Sequence, residues 1–189
     1  MQSFSSERSE TFATIVNVRR RSPLLEILLY RIMKVLIAEE QEKKLIEQYL
    51  PEFSNEEVIV TGVGALNVLR ALRNIPLDTP LVNIGYAGSA NFEIGTLVEV
   101  TESRLNHPNV SYPEPEYKLA GSEGIMFSEM KKAICYTGVD FCLQSDYKDC
   151  VFDMELAFIL GMGFKQVRSI KYVSDNLSLH DYRKVGQGV

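Results

Sequence analysis

The acidic residues Glu42, Glu155 and Asp175 and the turn Thr61-Gly62-Val63-Gly64 are the parts of this sequence whose types and spacing could do chemistry. Two kinds are within their reach: proton transfer by a carboxyl group, and binding of an anion or polar ligand edge by backbone N–H groups where a strand turns into a helix. Asp175 ends an apolar run, Val167 to Val173, which puts it at the carboxyl end of a strand, where ligands of open α/β folds bind. A plain strand-ending turn, Ser174-Asp175-Asn176, would use the same residues. Glu155 follows Asp153, so Asp153 capping a helix with Glu155 in its first turn is an equally physical account. Glu42 lies in the run Glu39-Glu40-Gln41-Glu42, which also suits a solvated helix start. The glycine turn lacks a third glycine, Asn67 standing there, and no well-placed acid comes after it, so a dinucleotide fingerprint is incomplete. On a strand, Lys171 faces the same way as positions 173 and 175.

Short β-rich runs alternating with amphipathic stretches must position these groups, the pattern of strands and helices in a largely parallel sheet. Strands are expected at Lys34 to Ala38, Val58 to Thr61, Leu81 to Ile84, Gly95 to Thr101, Ala133 to Thr137 and Val167 to Val173. Helices are expected at Glu40 to Leu50, Ala65 to Leu72 (with Leu66, Leu69 and Leu72 apolar) and Asp153 to Leu160. Gly85 and Gly88 bracket an expected loop, and the prolines at 108, 113 and 115 make Asn106 to Glu116 another.

At 189 residues the chain is long enough for one domain with a full core and short for two. The stretch 1–32 differs in character from the rest of the chain: its apolar run Leu24 to Ile32 is short and interrupted by Glu26 and Arg31, so neither a membrane span nor a secretory signal is expected. An N-terminal extension, disordered or loosely attached, and then one domain over 33–189 is the expectation. A net charge of −5 without a dense Lys/Arg stripe argues against nucleic acid as a partner. Three cysteines without C-x-x-C spacing suggest a reducing cytoplasm, and His107 and His180 lack metal-ligand spacing, so no metal is expected.

Three segments, Asn83-Ile84-Gly85-Tyr86-Ala87-Gly88, Phe152-Asp153-Met154-Glu155 and Val173-Ser174-Asp175, together resemble in order and spacing the purine nucleoside phosphorylase and methylthioadenosine/S-adenosylhomocysteine nucleosidase superfamily. The resemblance runs from about Met33 to Asp175. It implies an α/β domain with a central mixed, largely parallel sheet flanked by helices, cleaving the N-glycosidic bond of a purine nucleoside without a cofactor, as a homo-oligomer. It also implies site roles: Met154 under the sugar and Glu155 on its hydroxyls, Asp175 as the acid at purine N7, and Ser174 beside it. Phe141 would stack on the base, Tyr86, Ala87 and Gly88 would line the site, and Glu42 would orient water, with Glu39 or Glu40 as alternatives. Lys171 would pair with Glu155. Asn83 stands where the phosphorylases carry arginine, which favours water over phosphate. The sequence departs from the family at Tyr86, usually a small residue, in a shortened stretch between His107 and Ala133, and in a reduced or missing terminal helix after Asp175. A phosphorylase, or a relative that binds nucleosides without turnover, are the other readings.

Overall fold

The computed structural model describes residues 33–106, 116–119 and 130–185. The expected extension over 1–32 and most of the proline-rich loop lie outside these residues.

The first strand, β1 (Lys34–Ile37), shows how the sequence builds layers. Alternation along a strand sends Val35 and Ile37 to one face and Leu36 to the other. Val35 and Ile37 pack with Leu45, Ile46, Leu50 and Phe53, whereas Leu36 packs with Val68, Leu72, Leu81 and Ile159. A 3-10 turn (Glu40–Glu42) and helix α1 (Lys43–Tyr49) therefore cover one face. Helices α2 (Ala65–Leu72) and α3 (Leu156–Gly161) cover the other. Helix α2 starts after Gly62 and Gly64, whose φ of 82° and 84° only glycine adopts without strain. It buries Val68 and Leu72, while Leu66 and Leu69 of the expected apolar stripe are 71% and 46% exposed.

The remaining strands are β2 (Glu57–Val60), β3 (Leu81–Gly88), β4 (Leu97–Leu105), β5 (Glu116–Lys118), β6 (Lys131–Thr137), β7 (Cys150–Asp153) and β8 (Val167–Asp175), and a last helix, α4, spans Leu179–Val185. Five of the eight pairings among the described residues are parallel, so the expected mixed, largely parallel sheet with helices on both faces is present. Strand β3 pairs β8, β8 pairs β4, β4 pairs β6, β6 pairs β7, and β7 returns to β3 through Gly88 and Phe152. These five strands close into a ring, with β1 and β2 extending from β3 and β5 from β4.

Two expectations need correction. Residues 85–88 are not a loop: β3 continues through them, with Gly85, Tyr86, Ala87 and Gly88 each in register with β8. Asp153 is not helical but ends β7, a strand not anticipated from the sequence, and α3 begins only at Leu156. Residues 179–185 form a two-turn helix, the reduced form of the terminal helix.

Lys171 of β8 is fully buried and its Nζ lies 2.7 Å from Oδ2 of Asp153 on β7. Asp153 also accepts hydrogen bonds from the Thr137 hydroxyl (2.6 Å) and the Leu156 N–H (3.0 Å). Removing one partner of such a pair leaves a buried charge unmatched. We expect Lys171→Met to lose about 3–5 kcal/mol of stability in urea unfolding, and Lys171→Met with Asp153→Asn to recover part of that loss.

Candidate functional site

The carboxyl ends of β1, β3, β7 and β8, with the loop after β6, converge on a cavity of about 280 Å³. Its wall contains Glu42, Tyr86, Ala87, Gly88, Phe141, Met154, Glu155, Ser174 and Asp175, so the sequence-derived site residues meet in one place, Lys171 excepted. Ala38, Glu39, Val63, Phe152, Asp153 and Tyr182 complete it.

Glu42 is 3% exposed and tightly held. Its Oε2 accepts from the N–H groups of Ala38 (2.6 Å) and Glu39 (3.0 Å), and its Oε1 from the N–H of Tyr86 (2.8 Å). Burial pushes its pKa up, against the opposing pull of these N–H groups and of Lys171. Gly85 is required here, because a Cβ at that position would stand 2.8 Å from Glu42 Oε1. Gly88 does the same for Asp175, whose Oδ1 would lie 2.8 Å from an added Cβ. The two glycines of the Gly85–Gly88 motif are thus seats for two carboxylates.

Asp175, at the last position of β8, is fully buried. The Ser174 hydroxyl donates to its Oδ2 at 2.7 Å and the Ser178 N–H to its Oδ1 at 3.2 Å. Burial raises its pKa more than these donors lower it.

Glu155 occupies the position before α3 with a non-helical φ of −130°, so it is not the first-turn residue that a capping account requires; Asp153 supplies that account through its bond from the Leu156 N–H. The Glu155 carboxylate instead crosses to the glycine turn, where Oε1 accepts from the Gly64 N–H at 2.8 Å, and Oε2 from the Met154 N–H at 3.3 Å. The anion at the Gly62-Val63-Gly64 turn is therefore this side chain. Burial first, then the charge of Asp153, push its pKa up to about 7, against the pull of Lys171 and the Gly64 N–H.

The expected pairing of Lys171 with Glu155 is corrected by the structure: the ammonium contacts Asp153. Burial would lower its pKa, and Asp153 more than reverses this, so Lys171 stays charged. It reaches Glu155 and Glu42 through its field and lies outside the cavity wall. Asn83 is also away from the cavity, buried with its Oδ1 accepting from Ser169 at 3.2 Å. Tyr86 packs its ring edge-on against Tyr172, with centroids 5.9 Å apart, and the cavity remains beside it.

Tyr182 of α4 and Asp153 were missed from the sequence. Ser178 and Asp181 have the spacing of a helix start, and the Ser178 hydroxyl accepts from the Asp181 N–H at 3.4 Å, so this signal for α4 was available. Asp153 ends the apolar run Cys150-Val151-Phe152 as Asp175 ends its own, the same clue unused. Among the described residues no group of three or more His, Cys, Asp or Glu is arranged to hold a metal ion, and no helix is long and apolar enough to cross a membrane.

No family model matches the sequence, and no curated protein matches it. Solved structures match the fold. The nucleosidase MTAN of Chlamydia trachomatis bound to MTA superposes with a TM-score of 0.63 at 18% identity, over 82% of this chain and 91% of that one. The 5′-methylthioadenosine/S-adenosylhomocysteine nucleosidase of Neisseria meningitidis in complex with methylthio-immucillin-A gives 0.61 at 18% identity, with the same coverage. The Helicobacter pylori nucleosidase with butyl-thio-DADMe-Immucillin-A gives 0.59 at 16% identity, over 80% and 89%. With its closed strand ring, flanking helices and cavity at the strand ends, this chain has the fold of the methylthioadenosine/S-adenosylhomocysteine nucleosidases, the superfamily its motifs resemble.

Proposed function

We propose that this protein hydrolyses the N-glycosidic bond of a purine nucleoside. The observation that carries the reading is a single cavity holding Asp175, Glu155 and Glu42, all buried and all with raised pKa values, with no Lys or Arg among the described residues that line it. Asp175 gives a proton to N7 of the purine as the C1′–N9 bond breaks, so the base leaves neutral. Glu155 and Met154 hold the ribose, and the Glu155 carboxylate stabilises the oxocarbenium character that develops at C1′. Glu42, fixed by three backbone N–H groups, orients a water and takes its proton as the oxygen adds to C1′. Phe141 offers a ring face to the base, and Ala87 and Gly88 complete the wall.

Water is favoured over phosphate by charge. Phosphate recognition calls for a cationic fork, and here the wall carries Glu39, Glu42, Asp153, Glu155 and Asp175 while the nearby Lys171 is engaged by Asp153. The fold's likeness to nucleosidases whose structures hold MTA and immucillins supports the nucleoside as substrate. We place the protein in the cytoplasm, where the free Cys135, Cys142 and Cys150 would stay reduced, as a homo-oligomer using exposed Leu66 and Leu69 of α2.

Adenosine and inosine, each incubated with the protein with and without phosphate, should release free base in both conditions. Asp175→Asn should lower kcat about 10²–10⁴-fold. Release only with phosphate would make it a phosphorylase, and nucleoside binding without release a non-catalytic binder.

Glu155 makes a second expectation, for stability. An acid whose folded pKa is raised holds its proton more tightly when folded, so its favourable contribution is complete below its ordinary value of 4.5 and is lost as pH rises through about 7. Between pH 4.5 and 8, Glu155→Gln should gain on the wild type by on the order of 3 kcal/mol, read as the pH dependence of the difference in urea unfolding. Parallel pH profiles for the two proteins would show that Glu155 is not raised.

A further inference from the structure

The hydrolysis chemistry assigns no role to the side chains of Glu39, Tyr86 and Tyr182 in the cavity wall. Glu39 and Tyr182 are joined there. The Tyr182 hydroxyl of α4 donates to Glu39 Oε2 at 2.8 Å, and Gln41 Nε2 donates to the same oxygen at 2.7 Å. The Tyr182 ring lies 5.7 Å from that of Phe141. Burial, and then the charges of Glu39, Glu42 and Glu155, push the Tyr182 pKa upward, so the phenol stays protonated and donates. Glu39 is therefore a carboxylate fixed from two directions, facing the cavity.

This inference rests on the hydrolase reading for the placement of the ligand. With the base at Asp175 and Phe141 and the ribose at Glu155 and Met154, the polar wall that remains for the 5′ carbon is that of Glu39, Tyr86 and Tyr182, beside the apolar Val63 and Phe152. The geometry points to Glu39, held by Tyr182, as the residue that selects the 5′ group: it accepts a hydrogen bond from a donor there, so the substrate class is a nucleoside with a 5′-hydroxyl or 5′-ammonium group. A 5′-thioether has no donor and would strip water from the Glu39 carboxylate without replacing it. A 5′-phosphate would enter a wall that already carries five carboxylate side chains and, among the described residues, no cation.

The test measures calorimetric Kd and kcat/KM for adenosine, 5′-amino-5′-deoxyadenosine, 5′-methylthioadenosine and adenosine 5′-monophosphate on the wild type, Glu39→Gln, Glu39→Leu and Tyr182→Phe, with Tm as the check of folding. The wild type should bind the amino and hydroxyl nucleosides about tenfold or more tighter than the thioether, and the monophosphate not measurably. Glu39→Leu should invert the hydroxyl-to-thioether ranking, and Tyr182→Phe should weaken it. Glu39→Gln should keep that ranking but lose the advantage of the ammonium, which separates charge from hydrogen bonding should Glu39→Leu fail to fold. Thioether binding as tight as adenosine in the wild type, or an unchanged ranking in both Glu39 variants, overturns the inference. The expected ranking without base release upholds it and overturns hydrolysis, base release with a flat ranking does the reverse, and absence of all nucleoside binding overturns both.

Discussion

Lys171 has been taken out of water completely, and a buried ammonium needs a carboxylate against it. The chain offers three nearby, Glu42, Asp153 and Glu155, and the choice among them sets the character of the cavity. Contact with Asp153 joins β8 to β7 across the strand ring and leaves the other two under the lysine's field without its hydrogen bonds. Had Glu155 taken that contact, its charge would be locked and its oxygens occupied. Because Asp153 takes it, Glu155 sits near neutrality in its protonation, with backbone N–H groups as its partners.

The same economy of donors governs the other acids. Glu42 rests on three backbone N–H groups, and Asp175 on one N–H and the neighbouring Ser174 hydroxyl. Backbone donors are fixed by the strands and turns that carry them, so the carboxylates are oriented before any ligand arrives. Such approach to the backbone demands that nothing project from it, which is why Gly85 and Gly88 sit within β3 opposite Glu42 and Asp175. Alanine at either position would push a carboxylate off its donors while leaving the strand intact.

How much of this was readable in the sequence depends on which interactions are local. The bounds of helix α2 were legible to the residue, because its glycine entry is local, although the stripe read from Leu66, Leu69 and Leu72 missed the buried Val68 and included two exposed residues. Strand β1 was legible from a continuous apolar run, and β8 from the β-branched and aromatic residues Val167, Ile170, Tyr172 and Val173. The Gly85–Gly88 segment was misread because glycine near a strand end signals a turn, and its continuation depends on register with β8, distant in the chain. Strand β7 was hidden by its length of four residues and by Asp153, a residue type that marks a helix start when its partner Lys171 is out of view. For the site, order and spacing of three short motifs identified Glu155, Asp175 and Met154 as neighbours, the family resemblance added Phe141, and Tyr182 was missed because no motif included the residues after Asp175.

Closure of the strand ring explains why so many segments meet at one end. In a flat sheet, side chains after β1, β6 and β8 would be spread over the width of several strands, at about 4.8 Å per strand. Here β7 returns to β3 at Gly88 and Phe152, so the ends of β3, β7 and β8 surround a common floor, and α4 needs only two turns beyond β8 to bring Tyr182 back over Glu39. A long covering helix is therefore not required to complete the wall: the contact between the Tyr182 hydroxyl and Glu39 ties the last described element to the first turn after β1. The cavity is thereby bounded by segments from both ends of the described chain, and its polar character at that side comes from the pair itself.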